Sequence, residues 1–386
     1  MDDFTFVSIE WVVWAVSGIV LFWLSPVKYR SQIVSLVTFS FLFWVDKYSC
    51  LILVLMALLC FIAVGGRQVS QFRNTVSVLL IIAALLIYKA VGSGLSLNSD
   101  FFTVGVIPLG LSFYSLRCMH VIFERGRGNL GQVSLSALIP YLFFLPTIWM
   151  GPIHRFSEFE RDRRRHRWDY ELFSQGLERI IYGYVKVVII SGFFLELAWP
   201  HWVVEITSEQ SQFWQYLELV RGGLNLYLLF SGYSDIAIGL AYTLGYKVGE
   251  NFAMPYLAKN ISEFWRRWHI SLTSWSNEYI YKYFMANTRS ASASVLASLL
   301  VIGVWHELSL RYFAWGVYHW LGILCWQGYT RLKPILPSVG SVFWVRVWEG
   351  FCVLLTVHFV WLGFLLVGQV TFSDMSSVLN LLFLGR

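Results

Sequence analysis

The sequence predicts an all-α polytopic membrane protein, with about ten or eleven transmembrane or re-entrant helices and amphipathic segments at the membrane interface. Three observations predict it. Of 386 residues, 57% are hydrophobic, and only 29 basic and 23 acidic side chains carry formal charge, about half the usual charged share of a soluble domain. A surface made from that composition is mostly apolar and is stable against lipid, not against water. Apolar runs approaching the roughly 20 residues needed to cross a bilayer recur along the chain. Aromatic residues make up 18%, with 19 Trp and 20 Tyr, the residue types that anchor helix ends at membrane interfaces. A cytosolic globular enzyme, a disordered chain and a secreted disulfide scaffold are thereby excluded. The net charge of +6 is small for this length and makes no case for nucleic acid.

Taken in order, residues 4–26 form the first apolar run. Its leading flank is acidic (Asp2, Asp3) and no small-residue cleavage site follows, so it reads as a retained anchor and not as a signal peptide. Lys28 and Arg30 then fall on the cytoplasmic side by the positive-inside rule, with the N-terminus outside. Runs 33–45 and 50–64 read as a hairpin that keeps Arg67 and Arg73 inside, and runs 76–91 and 101–123 put Arg125 and Arg127 inside. A further crossing through 135–150 would carry the basic stretch 161–167 (RDRRRHR) outside, against the rule. A re-entrant pair of half-helices resolves the conflict, with Pro140 and Pro146 supplying the breaks. Runs 177–200, 224–244, 295–305, 312–325 and 343–367 complete the set. Short runs beside long ones point to tilted or re-entrant segments around a cavity. No fixed-period repeat, linker or low-complexity tract divides the chain, which reads as one integral-membrane domain over residues 1–386.

Two segments read as interfacial. Over residues 260–284, Ile261, Phe264, Trp265, Trp268, Leu272, Trp275 and Tyr279 recur at three-and-four spacing while Glu263, Arg266 and Arg267 face away, which predicts one amphipathic helix in the membrane plane. Residues 161–167 form a basic strip near the headgroups. The five cysteines (Cys50, Cys60, Cys118, Cys325, Cys352) stand singly in apolar surroundings, without CxxC or Cys/His spacing, and read as buried small hydrophobes.

Ionisable residues inside apolar segments are expensive and mark cavities. His306 ends an apolar run with Glu307 and Arg311 behind it. Histidine near its ordinary pKa is neutral at physiological pH and accepts a proton, which suits a general base; a helix-end histidine of purely structural use fits the same spacing. His269 lies at the edge of the amphipathic stripe, as a site residue or as a member of an aromatic belt. Asp235, in the small-residue stretch 231–239 (SGYSDIAIG), orients a histidine, binds a cation or pairs with an arginine. Residues 108–114 (PLGLSFY) and 150–155 (MGPIHR) are Pro/Gly-broken, which lets backbone approach a ligand or breaks helices for structural reasons. Several chemistries drop out. His306 and Glu307 begin an HExxH pattern that Leu310 ends, and no GxSxG, Walker A or GxGxxG is present. No histidine is followed by Asp five residues on, as in soluble acyltransferases: Arg311 follows His306, Ser274 follows His269 and Arg125 follows His120.

Three stretches in a fixed order carry a resemblance: YSDIAIGLAYTLGY (233–246), NFAMPYLAKNISEFWRRWHISLTSW (251–275) and GVWHELSLRYFAWGVYHW (303–320), with weaker support from PLGLSFYS (108–115) and PTIWMGPIHRFSEF (146–159). Over about residues 108–325 the chain resembles the membrane-bound O-acyltransferase (MBOAT) family, in particular its bacterial cell-envelope branch of alginate O-acetylase and D-alanyl-teichoic-acid transfer proteins. The resemblance implies about eleven helices ringed around a central funnel, with the family's catalytic histidine at His306 and its second histidine at His269. The neighbouring Asp235, Ser234, Tyr233, Trp305, Trp265 and Arg266 are then expected to line substrate. It further implies transfer of an acyl group, acetyl in the first instance, from a cytoplasmic thioester donor across the membrane to a hydroxyl. The acceptor is an envelope polysaccharide or a periplasmic partner acyltransferase. No cofactor is bound; acetyl-CoA or a phosphopantetheine carrier protein is the donor, and the setting is the lipid bilayer of the bacterial inner membrane. In such a reaction His306 takes the acceptor's proton, His269 meets the acyl carbonyl or the donor arm, and residues 161–167 attract donor phosphates.

Departures from the family pattern are Glu307, where a small residue commonly follows the histidine, and the MGPIHR variant. In length the chain is nearer the D-alanine branch, so D-alanyl transfer from a carrier protein stands as the alternative. A transporter or flippase of an envelope precursor, for which two similar helix-broken halves are not found, and an inert scaffold that recruits an acyltransferase are the readings from other classes.

Overall fold

A computed structural model of the protein describes residues 8–92, 110–165, 167–206, 212–332 and 341–368. The regular elements among these residues are all helical. They are α1 (Ile9–Leu24), α2 (Arg30–Val45), α3 (Lys47–Val64), α4 (Gln71–Gly92), α5 (Leu111–Gly126), α6 (Leu135–Leu142), α7 (Phe156–Arg165), α8 (Tyr170–Tyr184), α9 (Trp199–Ile206), α10 (Gln212–Thr243), α11 (Ile261–Arg267), α12 (Ile270–Ser276), α13 (Lys282–Thr288), α14 (Ala291–His306), α15 (Leu310–Leu332) and α16 (Val342–Val367). Among the described residues five helical stretches are long and apolar enough to cross a membrane: Lys47–Val64, Gln71–Ala90, Tyr170–Val204, Gln212–Thr243 and Val342–Val367. The third is continuous because a wide-turned π-helical segment, Val185–Ala198, joins α8 to α9. Ile9–Leu24 and Ala291–His306 are apolar but shorter. Asp2, Asp3, Pro108, His166 and residues 101–109 of the fifth expected run lie outside the described residues.

The chain divides into two compact units, Met1–Val185 with Gly232–Gly249, and Lys186–Ser231 with Glu250–Arg386. In the first, α2, α3, α4 and α5 pack in sequence and α6 lies against α2, α3 and α5. Caps set the helix starts: Ser8 Oγ accepts from Trp11 N, and the Asp46 carboxylate accepts from Tyr48 N and Ser49 N. The segment expected to re-enter is short. α6 has 8 residues, about 12 Å of helix, and a 3₁₀ turn, Leu145–Thr147, follows it.

A broken backbone inside a membrane protein persists only where protein satisfies its polar groups, and here Arg117 of α5 does so. Its guanidinium, 1% exposed, donates to Tyr141 O (3.2 Å), Leu142 O (2.9 Å) and Thr147 Oγ1 (3.2 Å), and lies over the Tyr114 and Tyr141 rings. A cation thus sits on the final carbonyls of α6, where the helix dipole favours it. Gly110 and the MGPIHR break lie within this same packing. Gly110 has φ +75° and a Cβ there would run into the Ile148 carbonyl oxygen. Tyr141 OH donates to His154 O at 2.8 Å, His154 Nδ1 lies 3.3 Å from Thr147 Oγ1, and Phe156 N donates to His120 Nε2 at 3.1 Å.

Residues 161–165 of the basic stretch form the second half of α7. Phe156, Phe159 and Asp162 are buried, and Asp162 accepts from Lys247 N at 3.0 Å. Glu160 holds both Arg163 (2.6 Å) and Arg164 (2.8 Å). α8 and the Gly232–Thr243 part of α10 cross at backbone distance. A Cβ at Gly176 would lie 2.7 Å from Gly239 O, and one at Gly183 would lie 2.6 Å from Gly232 O; between these points Arg179 Nε meets Asp235 Oδ1 at 2.7 Å.

In the second unit α14, α15 and α16 pack consecutively, with α11 against α15 and α16 and with α12 and α13 against α14. The segment 260–284 departs from expectation here: α11, α12, a π turn (Asn277–Tyr281) and α13 replace a single helix. The buried face is the expected one, since Ile261, Phe264, Trp265, Trp268, Leu272, Trp275 and Tyr279 are all buried. It packs on protein helices instead of lipid. The cysteines also differ in part: Cys50, Cys60 and Cys118 are buried, but Cys352 is half-buried and Cys325 is exposed.

Arg117→Met removes the donors to two buried carbonyls and is expected to lower stability by about 2–4 kcal/mol. Thermal unfolding in detergent measures it, and Arg117→Lys should recover only part, because an ammonium cannot span both carbonyls and Thr147.

Candidate active site

The position of His306 follows from how α14 and α15 cross. Gly303 has no side chain where a Cβ would lie 2.7 Å from the Tyr312 carbonyl oxygen, and a Cβ on Gly316 would lie 3.2 Å from Leu299 O. Small residues at these two points let the helices approach at backbone distance. Trp320 Nε1, which donates to Ser292 O at 3.1 Å, ties the far end. The helices therefore run antiparallel on either side of the short connection 307–309. His306, the last residue of α14, is half-buried and stacks on Tyr312 with ring centroids 5.5 Å apart and planes 18° apart. Trp315 stands edge-on at 6.2 Å and Trp305 at 4.7 Å.

His269 comes from the break between α11 and α12. Its backbone is left-handed, φ 43° and ψ 53°, a conformation that a side chain with a Cβ adopts at a cost of about 1 kcal/mol or more. The stretch before it holds that break. Ala253 N donates to Arg267 O (3.0 Å), Ile270 N to Asn251 O (2.9 Å) and Ser271 Oγ to Asn251 Oδ1 (2.6 Å). The imidazole, 2% exposed, sits edge-on to Phe230 at 4.7 Å and to Trp305 at 6.0 Å. Trp305 thus touches both histidines. Burial pushes the His269 pKa well below 6.5, and the charge of a protonated His306 pushes it further the same way. The ring is neutral at physiological pH.

Chemically, this arrangement offers one half-exposed imidazole for proton transfer beside one that stays uncharged. Positive charge that develops on His306 lies at the C-terminus of α14, where the helix dipole stabilises it by about 0.3–1 kcal/mol. Glu307 is engaged by Arg311 at 3.1 Å, and Arg311 also donates to Gly368 O at 2.8 Å.

Of the residues expected to serve the site, His306, His269, Trp305 and Trp265 gather in the second unit. Trp265 joins through Trp315, with ring centroids 5.6 Å apart. Arg266 is exposed on the opposite face of α11. Tyr233, Ser234 and Asp235 belong to the first unit's part of α10, where Ser234 is buried and Asp235 carries the ion pair with Arg179. Sequence reasoning missed Tyr312, Trp315 and His319, which recur at three-and-four spacing along α15 and present one face toward His306. It also missed Phe230, and Asn251, whose signal was only its place at the head of the 251–275 stretch.

With this geometry in hand, comparison with known proteins decides the family. The model of MBOAT, membrane-bound O-acyltransferase family, matches residues 31–377. The chain belongs to this family. Among curated relatives, a protein named probable alginate O-acetylase AlgI from Azotobacter vinelandii is 30% identical over 350 residues, covering 84% of this chain and 68% of that protein. Its namesake in Pseudomonas fluorescens is 32% identical over 224 residues, covering 56% and 45%. Teichoic acid D-alanyltransferase of Bacillus subtilis is 29% identical over 271 residues, covering 66% and 67%. The protein is therefore an integral-membrane acyltransferase.

Two expectations follow from His269. Because its backbone is left-handed, His269→Gly should be more stable than His269→Ala by about 1 kcal/mol, the reverse of the order at a helical position. Thermal unfolding of the pair reads this directly. The second concerns pH. The folded-state pKa of His269 lies below its unfolded value near 6.5, so below that pH the unfolded chain binds more protons and stability falls with the pH; above it the contribution vanishes. The wild-type protein should lose stability between pH 7 and pH 5 more steeply than His269→Gly.

Proposed function

We propose that this membrane acyltransferase moves an acyl group, acetyl in the first instance, from a cytoplasmic thioester donor to a hydroxyl on the far side of the bacterial inner membrane. The acceptor is a cell-envelope polysaccharide or a periplasmic partner acyltransferase. The observation that carries the reading is His306: a half-buried imidazole at a helix C-terminus, stacked on Tyr312 and flanked by Trp305, with the uncharged His269 beyond. In the reaction the acceptor hydroxyl gives its proton to the His306 ring as its oxygen bonds to the thioester carbonyl carbon. The C–S bond then breaks, and the leaving thiolate takes the proton back. General-base help of this kind is worth about 10²–10⁴-fold. His269 meets the acyl carbonyl or the donor's arm, as a neutral group that adds no charge to the centre. Similarity to the alginate O-acetylase over 84% of the chain supports acetyl and a polysaccharide acceptor.

D-alanyl transfer from a phosphopantetheine carrier is the second reading, and α7 favours it. Arg161, Arg164 and Arg165 edge an open groove of about 620 Å³ together with Gln132, Ser157 and Glu160. A basic groove of that size suits an acidic carrier, whose docking weakens as salt is raised.

Mass spectrometry of envelope polysaccharides from cells with the wild-type protein, with His306→Ala, or with neither tests the proposal. An ester-linked increment found with wild type alone is expected, with His306→Ala reduced by at least about 100-fold. An acetyl mass selects the first reading and an alanyl mass the second. No increment in any strain, with inserted and folded protein, overturns both.

A further inference from the structure

Next to His306 three rings close a triangle. Trp265 of α11 and Trp315 and His319 of α15 have centroids 5.6 Å (Trp265 to Trp315), 4.8 Å (Trp315 to His319) and 5.3 Å (Trp265 to His319) apart. All three are buried, and His319 is 0% exposed. Trp265 Nε1, Trp315 Nε1 and both ring nitrogens of His319 have no hydrogen-bond partner among the described residues. Nearly all buried polar groups in proteins are paired, and an unpaired one is strongly disfavoured. Packing alone would select phenylalanine at residue 319, which fills similar room without that penalty. The α16 side is also shaped around the imidazole, because a Cβ on Gly363 would lie 2.9 Å from His319 Nε2. The triangle is continuous with the candidate centre, since Trp315 lies 6.2 Å from His306 and 6.2 Å from Tyr312.

We propose that His319, with the indole N–H groups of Trp265 and Trp315, forms a polar subsite for one hydrogen-bond-accepting oxygen of the acyl-transfer reaction. This rests on the reading of His306 above. An indole nitrogen only donates, and a neutral imidazole donates once and accepts once, so the set offers three donors and one acceptor. It matches an amide carbonyl oxygen or a water molecule. It holds no carboxylate to attract a cation. The oxygen has two sources: an amide carbonyl of the donor's pantetheine-type arm, or a water held beside the centre. The part His319 plays is binding; proton transfer belongs to His306.

The test uses the purified full-length protein, as wild type, His306→Ala, His319→Phe and His319→Gln, with envelope polysaccharide from the host as acceptor and thiol release as the readout. Two donors are compared, acetyl-CoA and S-methyl thioacetate, which has no amide. His319→Phe is expected to unfold at or above the wild-type temperature and yet to lose about tenfold or more in kcat/KM with acetyl-CoA, mainly through KM. His319→Gln, which restores a donor and an acceptor, should regain most of it. A loss confined to acetyl-CoA assigns the oxygen to the donor arm, and an equal loss with both donors assigns it to water. Wild-type kcat/KM for His319→Phe on both donors overturns the subsite, as does a His319→Gln variant no better than His319→Phe. If wild type releases no more thiol than His306→Ala with either donor, direct acetyl transfer to the polysaccharide fails as the reading and the subsite with it.

Discussion

The contact between α14 and α15 at Gly303 and Tyr312 is the constraint on which the second unit depends. A carbonyl oxygen occupies the room a side chain would take, so the two backbones touch and the short turn between them has little freedom. His306 ends one helix and Tyr312 lies in the first turn of the next, and the stacked geometry of their rings is the direct outcome. A larger residue at 303 would separate the helices at the point where the turn is tightest. Because His306 is the final residue of its helix, no further turn covers it. Half-exposure and the negative end of the helix dipole come together for that reason.

The second histidine is placed by different means. Nothing about a histidine favours a left-handed backbone, so the conformation at His269 has to be imposed by what surrounds it. Asn251 and Ala253 impose it through hydrogen bonds to both sides of the break. The result aims a buried imidazole across Trp305 toward the neighbourhood of His306. Two imidazoles this near to one another resist double protonation, and burial settles which of them stays neutral. The pair is asymmetric because one ring is sealed among aromatic side chains and the other closes an open helix end.

Much of the fold was legible because membrane helices announce themselves by composition. Apolar runs gave the segments later seen as α1 to α5, α8, α10 and α14 to α16, and the two prolines marked the short α6 and the 3₁₀ turn that follows it. The stripe from Ile261 to Tyr279 gave the buried face of its segment. It did not give the break at His269, since periodicity reports which face is buried and carries no information on a single residue's φ. It also did not say whether the apolar face meets lipid or protein, which depends on helices distant in sequence. The same limit applies to Asp235: a carboxylate in an apolar span requires a partner, but only packing of α8 on α10 names Arg179. At the site, His306 and His269 stood out as polar residues in apolar surroundings. Trp315 and His319 did not, because aromatic residues at helical spacing read equally well as core.

Arg117 and His319 show two opposite uses of a buried polar group in a chain with little access to water. Arg117 enters the interior because the end of α6 leaves carbonyls that no helix can satisfy, and its three donated hydrogen bonds meet that requirement. Its burial is explained by the backbone around it. His319 has no such account: neither ring nitrogen has a partner among the described residues, and the two indoles beside it bring further unsatisfied N–H groups and not acceptors. Where the apolar phase is the solvent, a polar group without an internal partner is retained against a continuous free-energy cost. The requirement it meets must then arise outside the folded chain, in a donor oxygen or in a water held beside the centre.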